Sequence, residues 1–137
     1  MFILDTNILS EARRARKRRA SPELLEWLAS VPLLQVYISA ITLFELKQGV
    51  LLAARSDPPK AAALNSWLVG SVLRAFGDRV LPVDAEVATA AAELHVPNPA
   101  SFRDSLIGAT AIVHQMSIVT RNVHDFERFK GVQVINP

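Results

Sequence analysis

Met1-Phe2-Ile3-Leu4-Asp5-Thr6-Asn7 opens the chain, and its reading decides the fold. Phe2, Ile3 and Leu4 form a short continuous apolar run, as expected of a strand buried on both faces of a parallel sheet. Three polar residues follow at once. In open α/β sheets, ligands bind just past the carboxyl ends of the strands. Asp5 falls there, with Thr6 and Asn7 beside it. An Asp or Asn in that place also serves as the N-cap of the next helix, so Asp5 alone carries two readings.

The rest of the chain repeats the arrangement. A short helix over residues 7–12 is expected first. Ser21-Pro22 then opens a second helix, with Ser as N-cap and Pro in the first turn. Residues 35–39 read as a strand, and Ser39 or Ala40 starts a long helix reaching about residue 55. Ile41, Leu43, Phe44, Leu46, Val50 and Leu51 give that helix a broad apolar face. Glu45 lies inside this face, where an acid needs a partner or a cation. Gly49, one turn further on, costs about 1 kcal/mol relative to Ala, and close approach of a neighbouring element would compensate it. Asp57 caps a helix that stops at Gly77. Residues 79–83 form a third strand that Pro82 confines to an edge or cuts short. Asp84 caps an Ala-rich helix.

Ser101-Phe102-Arg103-Asp104 begins the most informative helix. Asp104 can be the acidic half of a capping box with Ser101. It also shares one helix face with Ile107, Gly108 and Ala111, a small apolar face suited to pressing on a sheet. That placement points the carboxylate at the sheet's carboxyl edge. Ser117-Ile118-Val119 is a further strand, again followed by polar residues, Thr120-Arg121-Asn122 and then Val123-His124-Asp125-Phe126. Residues 132–135 form the last strand. The alternation predicts an α/β fold, a parallel sheet covered on both faces by helices.

At 137 residues the chain is long enough for one packed domain, spanning residues 1–137, and too short for two. It has no cysteine, which excludes disulfides and thiolate metal sites and fits a reducing cytoplasm. No apolar run reaches transmembrane length, and the first residues lack the basic-then-apolar order of a secretory signal. The formal charge is +2, unevenly placed. Residues 13–19 read Arg-Arg-Ala-Arg-Lys-Arg-Arg; without them nine cations would face 13 acids, a balance of −4. This run is either a solvated loop or an electrostatic footprint for nucleic acid. Lacking aromatics, it would touch phosphates rather than bases through Arg16, Lys17, Arg18 and Arg19.

Asp5, Glu45, Asp104 and Asp125 are far apart in sequence, yet each lies at a strand end, in a helix start or on an apolar helix face. If they converge, mutual repulsion raises some of their pKa values, and a divalent cation relieves it. Oxygen-only ligation favours Mg²⁺ or Mn²⁺ over Zn²⁺. Acid clusters of this kind commonly hold ions that activate water and stabilise a phosphoryl transition state. His95, His114 and His124 have no metal-ligand spacing and read as structural or surface residues.

Four pieces now stand in order: Leu-Asp-Thr-Asn at 4–7, Ser-Ala-Ile-Thr-Leu-Phe-Glu-Leu-Lys-Gln-Gly at 39–49, Asp-Ser-Leu-Ile-Gly-Ala-Thr-Ala at 104–111, and Val-Thr-Arg-Asn-Val-His-Asp-Phe at 119–126. Together they resemble a PIN-domain ribonuclease, specifically a VapC-type toxin of a bacterial toxin–antitoxin pair. The resemblance covers nearly the whole chain. It implies a three-layer α/β/α sandwich, Mg²⁺-dependent RNA cleavage, a small antitoxin partner, a homodimer, and contact with DNA only through the antitoxin. It implies that Asp5 and Asp104 ligate metal, that Glu45 binds a second ion or orients the attacking water, and that Thr120 and Asn7 support the acids by hydrogen bonds. Asn122 stands where many relatives carry Asp, and Asp125 comes three residues later, so the fourth acidic position is open between them. A homodimer also follows from residues 22–30 and 58–76, whose Trp27, Trp67 and leucines exceed what one thin sheet layer covers.

Two other classes remain in view: an Asp-phosphorylating phosphatase or receiver-like domain, and a binding module centred on residues 13–19. Phosphatases of that kind usually place a second Asp two residues after the first, where this chain has Asn7. The binding module leaves Glu45 on its apolar face unexplained.

Overall fold

A computed structural model of the chain describes residues 1–137, except for the side chain of Arg16. The first strand is central, as its apolar run requires. β1 (Phe2–Leu4) pairs in parallel with β2 (Val36–Ser39) on one side and β4 (Ser117–Val119) on the other. β3 (Val80–Leu81) and β5 (Gln133–Ile135) complete a five-stranded parallel sheet in the order β3-β2-β1-β4-β5. The chain therefore turns back at β1, and the crevice between the ends of β1 and β4 is the switch point where such sheets bind ligands. Pro82 fits the edge position of β3, which has two residues.

Successive strand residues face opposite ways, so each face of the sheet has its own core. Leu4 joins Ile8, Leu9, Leu24, Val36, Ile38, Leu46 and Val50 under one helical layer. That layer holds α1 (Thr6–Arg13), α2 (Pro22–Ser30), α3 (Ala40–Ala54), α4 (Pro58–Trp67) and α5 (Leu73–Phe76), the last two joined by a π-helical turn at Leu68–Val72. Ile3 joins Ile107, Ala111, Met116, Ile118, Phe126 and Phe129 on the opposite face. There lie α7 (Phe102–Val113) and α8 (Val123–Glu127), with α6 (Ala85–Glu93) packed on α7. This is the three-layer α/β/α sandwich.

Helix starts follow the caps. Ser21, Ser39, Asp57, Asp84 and Ser101 each accept a hydrogen bond from a backbone N–H in the first turn that follows. Three packing expectations need correction. On α3 the buried residues are Thr42, Leu46 and Val50, four apart; Phe44 and Leu51 are 53% and 57% exposed. Gly49 has nothing within 4 Å of where a Cβ would stand, so no close approach compensates it. Trp27 and Trp67 are not free surface: both are partly buried against the core, Trp27 edge-on to Phe2 with ring centroids 5.2 Å apart. The apolar side chains that these two segments leave exposed are Leu25, Val69 and Leu73.

Arg79, read as the start of a strand, is buried instead and donates to the carbonyls of Leu33, Val36 and Ala75. Gly108 is where close approach is real. A Cβ there would sit 2.8 Å from Cδ2 of Phe129, a ring packed in the core. Gly108→Ala should therefore destabilise by about 1–3 kcal/mol through overpacking, whereas Gly49→Ala should stabilise by about 0.5–1 kcal/mol. Denaturant unfolding of both variants checks the contrast; shifts of the same sign would contradict it.

Candidate active site

Asp5 sits at the end of β1, 6% exposed. Its own N–H continues the sheet by donating to the Val119 carbonyl at 2.9 Å. Its carboxylate is held from both sides. The Thr6 N–H donates to Oδ1 at 2.8 Å, and the Thr120 hydroxyl donates to Oδ2 at 2.7 Å. The capping and site readings of Asp5 thus coincide: one oxygen caps α1, the other is fixed by the end of β4. Thr120 also accepts from the Asn122 N–H at 2.9 Å, so the turn after β4 is organised around the same hydroxyl.

Glu45 projects from α3 towards α1. The Thr6 hydroxyl donates to its Oε1 at 2.7 Å and lies 3.3 Å from the hydroxyl of buried Thr42. Its Oε2 is 3.7 Å from the Arg103 guanidinium. Arg103 also donates to Gln48 at 3.1 Å and lies over the Phe44 ring at 4.9 Å. The acid on the apolar face therefore has partners, and the exposed Phe44 ring carries the Arg103 guanidinium.

Asp104 stands in the first turn of α7, where the Ser101 hydroxyl accepts from its N–H at 3.4 Å. Asp5, Thr6, Asn7, Ser10, Arg14, Glu45, Asp104 and Asn122 line one cavity of about 360 Å³. Asp125, exposed in the first turn of α8, stands outside that lining, although its charge is felt at both Asp5 and Asp104. Of the two residues considered for the fourth position, Asn122 reaches the cavity wall. Asn7 differs from expectation: its Oδ1 accepts from the Arg121 N–H at 3.4 Å, so it braces the turn after β4 rather than an acid.

Among the described residues of the basic run, Arg14 lines the cavity, while Lys17, Arg18 and Arg19 are exposed and stand outside its lining. The side chain of Arg16 lies outside the described residues. The sequence reading gave no site role of their own to Thr6, Ser10 and Arg103, and took Arg14 only as part of the basic run. Thr6 had a signal, being adjacent to Asp5; the others become visible only through tertiary contact. Arg121 is a staple. Its guanidinium binds both Glu11 oxygens at 2.8 and 3.0 Å, Ser21 at 2.8 Å, Asn136 at 2.8 Å and the Pro137 carbonyl. That pairing holds the Glu11 carboxyl down to about 2. The histidines stay out of the site: His95 bonds Ser105 and the Ala100 N–H, and His124 is exposed.

The electrostatics follow from burial. Loss of solvent pushes the Asp5 carboxyl above the ordinary carboxylate range; the bonds from Thr120 and Thr6 oppose this, and the charges of Glu45 and Asp125 add to it. Burial likewise raises Asp104, reinforced by Asp5, Asp125 and Glu45. The acids of four separate elements therefore share one field.

A family model described as PIN domain matches residues 2–132. The chain belongs to the PIN-domain family. It is 35% identical to the VapC ribonuclease Y4jK of Sinorhizobium fredii, covering 100% of this chain and 97% of that protein. It is 36% identical to toxin FitB of Neisseria gonorrhoeae, over 100% and 98% of the two chains. The crystal structure of FitAcB from Neisseria gonorrhoeae superposes with a TM-score of 0.88 at 34% identity, covering 100% and 98%.

The donor chemistry of this PIN-domain site fits a hard divalent cation. Its acids and polar neighbours present oxygen, and two carboxyls are raised by burial and, further, by neighbouring negative charge that a cation would offset. Among the described residues no three acids or histidines converge closely enough to form a ready cage. In the folded protein Asp5 and Asp104 keep their protons above the ordinary value of 3.8. Above that pH and up to the raised values, the folded state binds more protons than the unfolded chain, so stability falls as pH rises. In EDTA, Asp104→Asn should melt above wild type at pH 7, and the gap should shrink towards pH 4. Mg²⁺ should raise the wild-type melting temperature more than the variant's. Equal Mg²⁺ shifts in scanning fluorimetry would detach Asp104 from any cation site.

Proposed function

We propose that this chain is a Mg²⁺- or Mn²⁺-dependent endoribonuclease that acts in the cytoplasm as the toxin of a type II toxin–antitoxin pair. The observation that carries the reading is the convergence of Asp5, Glu45 and Asp104 on one cavity at the sheet's switch point. Full-length similarity to proteins named VapC ribonuclease and toxin FitB supports it. A small antitoxin as partner is supported by the solved relatives, one of which is titled a toxin–antitoxin complex from Klebsiella pneumoniae, at 25% identity and a TM-score of 0.68.

In this reading Asp5 and Asp104 hold the ion, with Glu45 at a second ion or at the attacking water. A bound divalent cation would supply the positive charge that offsets the carboxylates and polarises a phosphodiester. The remaining work belongs to the chain. Thr120 and the Thr6 N–H fix the Asp5 carboxylate in one orientation, which matters because small displacements of a reacting constellation are costly. The Thr6 hydroxyl and Arg103 place Glu45. Arg14 lends the cavity a positive charge for a phosphate. A phosphoryl-accepting Asp5 is less well supported, since Asn7 takes the place of a second Asp. A homodimer would draw on the apolar side chains left exposed on α2, the π-helical turn and α5, namely Leu25, Val69 and Leu73. Sedimentation at micromolar concentration tests that part: a monomer would refute it.

Labelled RNA incubated with the protein should be cut with Mg²⁺ and spared with EDTA. Asp5→Asn and Asp104→Asn should each lower the rate by at least about 10²-fold, and Thr120→Val by about 10- to 100-fold, as for groups that orient a ligand. Asp125→Ala should lose less than Asp104→Ala, because Asp125 lies outside the cavity wall. Unchanged cleavage in Asp5→Asn would remove the site assignment, and equal losses at positions 104 and 125 would remove the ranking.

A further inference from the structure

Arg103 precedes Asp104 in the first turn of α7 and stands beside Glu45, with 3.7 Å between Nη1 and Oε2. Its guanidinium is fixed by one turn of α3. Nη1 donates to Gln48 Oε1 at 3.1 Å, and Cζ lies 4.9 Å from the centroid of the Phe44 ring. Both polar contacts run through Nη1. Among the described residues, Nε and Nη2 have no hydrogen-bond partner, and the side chain is 41% exposed. Those two atoms form the edge on which Nε–H and one Nη2–H point the same way, a fork that matches two oxygens of a carboxylate or phosphate. Arg121 grips Glu11 with that same edge, at 2.8 and 3.0 Å. On Arg103 the edge is aligned but open. We propose that it binds the two nonbridging oxygens of an RNA phosphate adjacent to the scissile one. The proposal rests on the nuclease reading above and adds a substrate contact and its chemistry.

Three observations favour a substrate anion over a purely structural role. A guanidinium needed only to place Glu45 would close on it as Arg121 closes on Glu11. Instead the pair stays 3.7 Å apart, while the Thr6 hydroxyl holds the same carboxylate at 2.7 Å. The second observation is charge. A polyanion approaching Asp5, Glu45 and Asp104 is repelled, and a cation fixed beside them offsets the repulsion. Arg14 on the cavity wall is one such cation; Arg103, next to Asp104 in the chain, is another. The third is order. The Phe44 ring and Gln48 already remove much of the side chain's freedom, so less is lost when an anion binds. A phosphodiester suits the fork because it carries two nonbridging oxygens on one phosphorus.

The test uses a fluorescein-labelled RNA of about 12 nucleotides that spans a cut site mapped with Mg²⁺. Its binding to the full chain is followed in EDTA by anisotropy, across a salt series. Arg103→Gln should weaken binding about tenfold and flatten the salt slope by about 0.7. Arg103→Lys keeps the charge but not the fork, so it should lose about threefold in affinity and keep the slope. Melting temperatures in EDTA report that each variant is folded. A series of RNAs, each with one neutral methylphosphonate linkage, then locates the contact. In wild type one linkage flanking the cut should weaken binding most, and in Arg103→Gln that penalty should vanish. A penalty that persists in the variant would overturn the proposal. Slower cleavage at saturating RNA with unchanged affinity and slope would leave Arg103 as a positioning residue for Glu45 and would also overturn it. Either result, with wild type cutting RNA, spares the nuclease reading. A wild-type protein that neither binds nor cuts RNA would overturn both.

Discussion

Everything at the carboxyl edge of the sheet depends on the hydrogen bond from the Thr120 hydroxyl to Asp5, 2.7 Å long and fully buried. It joins the ends of β1 and β4, strands 115 residues apart in sequence but adjacent at the switch point. A buried carboxylate without donors would cost several kcal/mol or hold its proton. Here two donors oppose the desolvation, yet burial still wins and the carboxyl stays raised. The sheet thus keeps a partly frustrated charge at the one place where strand order opens a crevice. No cation of the protein pairs directly with that carboxylate; its two partners are neutral donors.

The surrounding groups divide into those that hold acids apart and those that hold elements together. Thr6 does both: its N–H caps α1 through Asp5, and its hydroxyl ties Glu45 on α3. Arg103 joins α7 to α3 through Glu45, Gln48 and Phe44. Arg121 joins the turn after β4 to α1, to the start of α2 and to the last two residues. Because Glu11 is held near a pKa of about 2, that brace stays ionised across the range in which Asp5 and Asp104 titrate. The scaffold stays put while the site changes charge.

The sheet, its parallel sense and most helix starts were legible in the sequence, for local reasons. Continuous apolar triplets followed by polar residues mark strand ends in a doubly covered sheet, and Ser21, Ser39, Asp57, Asp84 and Ser101 cap as their types dictate. The convergence of Asp5, Glu45 and Asp104 was legible because each stands at the end or face of a recognisable element. What the sequence hid was tertiary. Phe44 is apolar yet exposed, since its ring carries Arg103. Trp27 and Trp67 pack partly buried against the core. Arg79 is charged yet buried, since three carbonyls converge on its guanidinium. Asn7 braces Arg121 because the path of the chain after β4 brings that N–H to it, which no spacing rule encodes. In the basic run the count of cations was plain, but which of them lines the acidic cavity depends on how α1 ends. The helix continues to Arg13 and tightens into a 3₁₀ turn at Arg14–Lys17; Arg14 lines the cavity and the exposed cations 17–19 do not.

Helix α3 shows how one element serves stability and a site at once. Thr42, Leu46 and Val50 form its buried line, and Leu46 and Val50 seat it on the sheet's core. Glu45 and Gly49 lie one residue before Leu46 and Val50, so they fall about 100° round the helix, along the edge of the buried stripe. A residue on that edge is near enough to the core to be held rigidly and far enough out to meet solvent. Glu45 uses the first property: its carboxylate is positioned by Thr6 and Arg103 rather than left to wander. Gly49 uses the second, leaving a gap where Ala would have been better for the helix by about 1 kcal/mol. Stability alone would favour the reverse choice at both positions, an apolar residue at 45 and any side chain at 49. The helix forgoes that stability along one narrow edge, and that edge carries Glu45 to the wall of the acidic cavity.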